Sequence, residues 1–147
     1  MAVRTYDPKQ VAVLVSGVPM SGFADGTFIS VERDEDAFSK VSGADGIVSR
    51  AKSNNSMGTL TLTLAQTSPS NDVLSALATL DELTNAGIFP IIVKDNSGRS
   101  IHFSSNAWVK KVPAAGYAKE VGNREWIFDL ADYSPFIGGN STFDGQL

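Results

Sequence analysis

The sequence predicts a mainly β protein, a β-sandwich or partly closed barrel with one flanking α-helix, and three observations point there. Thr59-Leu60-Thr61-Leu62-Thr63-Leu64 alternates with the period of two that only a strand uses, so one face is leucine and the other threonine. Val73, Leu74, Leu77, Leu80 and Leu83 recur at helical spacing with Ser75, Thr79 and Glu82 opposite, which is one amphipathic helix whose leucine stripe needs a sheet to cover. The remaining chain is a series of short apolar, β-branched runs punctuated by glycine, proline and asparagine.

The elements follow in order. A first strand is expected from Gln10 to Ser16, closed by Gly17-Val18-Pro19, and a second from Thr27 to Arg33, with a hairpin as the simplest connection. From Asp34 to Ser56 the pattern breaks into a charge cluster, two glycines and a polar run, with room for a short strand at Ile47 to Ala51; so long a connection is usually functional. After the threonine/leucine strand, Ser68-Pro69 reads as an N-cap followed by proline at the first helical position, Asp72 favours the helix dipole in the first turn, and Gly87 ends the helix. Strands are then expected at Phe89 to Lys94, Arg99 to Ser104, Ala107 to Val112 and Arg124 to Ala131, with a tight turn at Asp95-Asn96-Ser97-Gly98. The 147 residues fit one domain, 1–147, with mobile ends at about 1–8 and 135–147.

Composition narrows the function classes. Hydrophobic residues at 42% and charged residues at 19% fit a globular chain, and the absence of cysteine excludes disulfides and thiolate metal sites. A net charge of -4 disfavours tight phosphate binding, which lysine and arginine would have to supply. The apolar run Val11 to Val15 is too short for a signal-peptide core or a bilayer span, so a cytoplasmic origin and no membrane binding are expected.

The search for chemistry gives little. His102 is the single histidine, and alternation sets it opposite Ile101 and Phe103, which predicts an exposed strand residue rather than a base. Asp34-Glu35-Asp36 with Asp45 is the densest carboxylate cluster, but Phe38 stands where a calcium loop needs its third ligand. Gly43-Ala44-Asp45-Gly46 lacks the spacing of a dinucleotide loop, and the triplets Asn54-Asn55-Ser56 and Asn140-Ser141-Thr142 are frequent by chance. Trp108 and Trp126 alternate with polar residues, as sheet-core tryptophans do. No catalytic residue, no metal and no cofactor are expected, and the chain does not read as an enzyme.

One physical question stays open at this level. No charged residue occurs between Ser53 and Asn71, so nothing in the threonine/leucine strand repels a neighbouring chain. In the interior of a sheet this is ordinary; at an edge it predicts self-assembly.

Several ordered segments resemble one family. Gly22-Phe23-Ala24-Asp25-Gly26-Thr27-Phe28 leading to Val31-Glu32-Arg33, Ser39-Lys40-Val41, Gly43-Ala44-Asp45-Gly46, Ser49-Arg50-Ala51-Lys52-Ser53-Asn54-Asn55, Gln66-Thr67-Ser68-Pro69-Ser70-Asn71-Asp72-Val73-Leu74, and Lys119-Glu120-Val121 with Asn123-Arg124-Glu125-Trp126 resemble the tail tube proteins of contractile-tailed bacteriophages, the small myovirus structural-protein family. The resemblance implies a virion structural subunit that closes into hexameric rings, which stack into a hollow tube. It also implies the partners: a surrounding sheath protein, a baseplate that starts the tube, a tail terminator, a tape-measure protein during assembly, and DNA in transient passage during ejection. Assembly would take place in the host cytoplasm. In this class each subunit lends about four strands to an inner barrel, and about 24 strands at ~4.8 Å spacing and ~40° tilt give a diameter near ~48 Å, wide enough for a duplex.

On that reading Thr59, Thr61 and Thr63 face the lumen as a wet wall that does not grip phosphate. Arg33, Asp34, Glu35, Asp36, Arg50, Lys52, Asn54 and Asn55 are the candidates for inter-subunit and ring-stacking contacts. Two other readings remain: the tube of a tailocin or related injection system, and a soluble β-sandwich binding module.

Overall fold

Ser16 and Gly17 both adopt positive φ, 53° and 79°, which is the geometry of the two-residue turn that matches strand twist. They fold β1 (Val11–Val15) back onto the two-residue β2 (Val18–Pro19), so the early hairpin forms here and not with the Thr27 to Arg33 run. The computed structural model describes residues 3–140. The further strands are β3 (Ile29–Arg33), β4 (Phe38–Ser42), β5 (Val48–Lys52) and β6 (Gly58–Ala65). Helix α1 (Ser70–Thr84) separates them from β7 (Phe89–Asp95), β8 (Ile101–Lys111), β9 (Asn123–Leu130) and β10 (Tyr133–Phe136).

All strand pairings among the described residues are antiparallel. One open sheet runs β2-β1-β7-β8-β9-β6-β3, with β10 beside β8, and β4 and β5 form a separate hairpin. β1 and β3, expected to be neighbours, lie in opposite halves of this sheet. β6 is flanked by β9 and β3 along its length, so the threonine/leucine strand is interior, and its lack of charge is no argument for assembly.

β8 replaces the two strands expected at Arg99 to Ser104 and Ala107 to Val112. Its first half pairs with β7 on one side and β10 on the other; its second half pairs with β9. The bend between them is stitched by one carboxylate. Asp132 accepts from Ser104 Oγ at 3.0 Å, from the Asn106 amide at 3.1 Å and from Ser105 Oγ, so the polar groups of an irregular stretch are satisfied without ending the strand.

The two halves of the sheet share one core. Leu60, Leu62 and Leu64 of β6 are 1%, 0% and 0% exposed and belong to one cluster with Val13, Val15, Ile91, Phe128 and Leu130. Each buried leucine side chain contributes roughly 1.5–3 kcal/mol of transfer free energy. Trp126 is buried in the same cluster, whereas Trp108 is half-buried on the other face, in register with Asp129.

Helix α1 begins one residue later than Ser68-Pro69 suggests. Ser68 Oγ accepts from the Ser70 amide at 3.2 Å, and the turn starting at Ser68 leads into the helix. Only the first half of the leucine stripe is covered: Leu74 and Ala78 are buried and Val73 and Leu77 pack against the core, but Leu80 and Leu83 are 44% and 79% exposed. Asn85 closes the helix in the left-handed conformation, and Gly87 passes so close that a Cβ there would lie 2.8 Å from the Leu77 carbonyl oxygen. Pro135 and Phe136 belong to β10, and Gly138 to Asn140 hydrogen bond to Arg99, Ser100 and Thr5, so regular structure reaches into the segment expected to be mobile; 141–147 lie outside the described residues.

Candidate assembly surfaces

The Asp34 to Ser56 connection is a β-hairpin arm. Gly43 to Gly46 form its tip: the Gly43 amide donates to the Ile47 carbonyl at 2.8 Å, and Gly46 takes φ 83°. This turn is the role of the Gly43-Ala44-Asp45-Gly46 string. Every residue of β4 and β5 is exposed, including Val41 at 66% and Val48 at 65%. A two-stranded hairpin with neither face covered has little to stabilise it alone.

The register gives the arm two unlike faces. Phe38 opposite Lys52, and Lys40 opposite Arg50, form a basic face on which the Arg50 guanidinium stacks over the Phe38 ring at 4.4 Å. Ser39 opposite Ala51, and Val41 opposite Ser49, form a neutral one. Lys40 was absent from the sequence-derived candidates, although the period-two runs flanking a glycine turn carry the signal for it.

The acidic candidates sit at the root of the arm. Asp34 accepts from Thr59 Oγ1 at 2.8 Å and Glu35 from Ser53 Oγ at 3.4 Å; Asp36 is exposed. Asn55 accepts from the Met57 amide at 3.0 Å and Asn54 is exposed beside it. Arg33 is turned to the body, its Nη2 donating to the Tyr133 carbonyl at 3.2 Å. The root therefore gathers Asp34, Glu35, Asp36, Asn54 and Asn55, while Arg50 and Lys52 lie on the arm.

Thr59, Thr61 and Thr63 are half-buried on the face of β6 opposite the core. Register places Glu32, Ser30, Asp129, Ile127 and Glu125 beside them, with Trp108 and Lys111 on β8 beyond. Three carboxylates, Glu32, Asp129 and Glu125, flank the threonines on this hydroxyl face, and Lys111, with Lys110 at the irregularity before it, lies at its β8 side. Among the described residues no strand pairs with the outer edge of β3. Its even-numbered residues bond to β6, as Phe28 and Asp34 do at either end, so the N–H and C=O groups of Ile29, Val31 and Arg33 point outward.

His102 is half-buried and not exposed, with Ile101 and Phe103 facing out; alternation fixed the parity and not the side. Its Nδ1 lies 2.6 Å from the Tyr133 hydroxyl. Burial lowers the His102 pKa and raises that of Tyr133, although the Arg33 charge opposes the latter, so burial disfavours the charged form of both partners of this hydrogen bond. The Ser105 hydroxyl, more than any other partner, holds the Asp132 carboxyl below its ordinary pKa. A cleft of about 320 Å³ between α1 and the β8–β9 loop is lined by Asn71, Trp126, Arg124 and Gln66 among others, all four bonded within the protein. Among the described residues no three histidine or acidic side chains converge as a metal site would require.

Comparison with known proteins agrees with this architecture. The chain is 37% identical over 144 aligned positions to "Structural protein ORF10" of Pseudomonas phage KPP10, covering 92% of this chain and 83% of that one. Its fold is similar to the sheath/tube terminator of the extracellular contractile injection system PVC, with a TM-score of 0.64 at 12% identity over 92% of this chain and 99% of the other. It is also similar to a chain of that system's sheath-tube complex, with a TM-score of 0.61 at 12% identity over 90% and 91%. The family model of the bacteriophage PhiTE tail tube protein matches residues 11–138, and the chain therefore belongs to that tail tube family.

Proposed function

We propose that the chain is the structural subunit of the inner tube of a contractile phage tail, closing into hexameric rings that stack into a conduit for genomic DNA. The observation that carries this is the four-stranded unit β3-β6-β9-β8 with both ends free. Among the described residues β3 has no second neighbour, and β8 has no partner opposite β9 beyond Ala107. Four is an even number, so strands alternate from β8 upward to β3 downward. Rotation about a tube axis preserves strand direction, and β3 of one copy meets β8 of the next antiparallel, the same pairing used inside each subunit.

The acid and hydroxyl face, with Thr59, Thr61 and Thr63, then lines the lumen, where like charge keeps phosphate from adhering. The arm reaches along the axis to the next ring, with Arg50 and Lys52 as its contacts and the acidic root near its base. Sheath, baseplate, terminator and tape-measure proteins are the partners of such a tube, and the virion tail is its place. Electron microscopy of concentrated purified protein tests the reading: six-fold rings or tubes are expected, whereas persistent monomers and a virion tube built from another gene product overturn it.

A further inference from the structure

The end of α1 carries two features that its own fold does not explain. Leu80 and Leu83 continue the helix's apolar stripe past the edge of the sheet, and Ile88, on the segment leaving the helix, is 55% exposed. The last turn also holds Asp81 and Glu82 and no basic residue, although the carbonyl end of a helix favours cations. Asp81 is used locally, accepting from the Gly87 amide at 3.2 Å, but Glu82 is exposed. This end is apolar and negative at once.

The arm is its complement. Between Phe38 and Lys52 it carries Lys40, Arg50 and Lys52 against the single acid Asp45, in a chain of net charge -4, and it exposes Phe38, Val41, Ile47 and Val48. Resting on the tube reading above, we propose that the β4–β5 arm of one copy seats on the C-terminal end of α1 in a copy of the adjacent ring. Phe38 and Val48, which share the face of Lys40 and Arg50, cover Leu80 and Leu83, and the two basic side chains meet Glu82 and the helix carbonyl end. A partner of this composition accounts for both unpaired surfaces together, and the chain supplies it.

Charge exchange across the contact tests the assignment. Glu82→Lys and Lys40→Glu/Arg50→Glu are each expected to fold with unchanged circular dichroism and to reduce sedimentable tube at least tenfold while rings persist. Combining all three changes in one chain is expected to restore tubes. Because the chain lacks cysteine, co-assembled Val48→Cys and Leu83→Cys proteins give a clean second reading, an oxidised mixed dimer in tubes and none in dissociated rings. Normal tubes from Glu82→Lys, or no mixed dimer in intact tubes, overturn the α1 seat even where the arm variant still blocks stacking. Absence of rings from the unmodified protein sinks the tube reading instead.

Discussion

The indole Nε1 of Trp126 donates to Asn71 Oδ1 at 2.9 Å, which ties the first turn of α1 to the buried centre of β9. The same asparagine donates through Nδ2 to the carbonyls of Ala65 and Ser68, both 3.1 Å away. One side chain thus joins the end of β6, the start of the helix and the largest residue of the core.

Asn71→Ala removes all three bonds and leaves a buried indole N–H without its partner. The expected loss is about 2–4 kcal/mol, or roughly 4–16 °C in Tm for a chain of this size. In a double-mutant cycle with Trp126→Phe, the pair is expected to cost less than the two single changes added, since removing both partners avoids the orphaned donor. Additive losses by denaturant unfolding would mean the bond carries no stability.

Acid should weaken the fold in two separate windows. The His102 pKa is lowered by burial, so the unfolded chain binds the extra proton first: stability is full above about pH 6.5 and falls as pH drops from there toward the folded-state pKa. Asp132 is held below its ordinary pKa of 3.8, chiefly by Ser105, so its share is present above that value and disappears only as pH falls further. His102→Gln is expected to flatten the first step and Asp132→Asn the second, each without touching the other, as read by urea midpoints across pH. A first step that survives in His102→Gln assigns it elsewhere.

The β3 edge can be blocked without disturbing what β3 does inside the subunit. The Arg33 N–H points away from β6, so Arg33→Pro removes an outward donor while the inward bonds at Glu32 and Asp34 stay. Arg33→Ala loses the same bond to the Tyr133 carbonyl but keeps the donor, and serves as the control. Light scattering is expected to show Arg33→Ala assembling and Arg33→Pro remaining a folded monomer; rings from both would place the joint at another edge.

How much of this was legible in the sequence depends on whether the signal was local. The alternation in β6, the Ser68 and Pro69 start of α1 and the extent of β9 are written in neighbouring residues, and the structure follows them to within a residue or two. The partner of β1 was not, because Val11–Val15 reads the same whether it pairs with β3 or with β7. His102 shows the same limit at one position: period two separates it from Ile101 and Phe103, but which set faces inward is decided by Tyr133 thirty-one residues away. Leu80 and Leu83 look like core by spacing, and only the extent of sheet beneath the helix leaves them in solvent. Of the candidate surfaces, Arg50, Lys52 and the acidic root were readable as charge, whereas Lys40 and the open edge of β3 required the pairing.

The threonine face makes the most direct claim about ejection. If Thr61 and Thr63 line the conduit, replacing both with lysine puts twelve new cations into each six-membered ring, facing a passing polyanion. Neither side chain belongs to the core, whose β6 members are Leu60, Leu62 and Leu64, so the subunit should still fold and tails of normal length should form. Each lysine that meets a phosphate releases counterions, and a drag of that origin weakens steeply as salt rises. The expected phenotype is therefore slowed DNA release from otherwise normal virions, partly relieved between about 50 and 200 mM salt, as followed by dye binding to ejected DNA. Release at the normal rate from such particles would put the threonines against the sheath or a neighbouring sheet. The acidic neighbours Glu125 and Asp129 would then be facing a protein partner and not DNA.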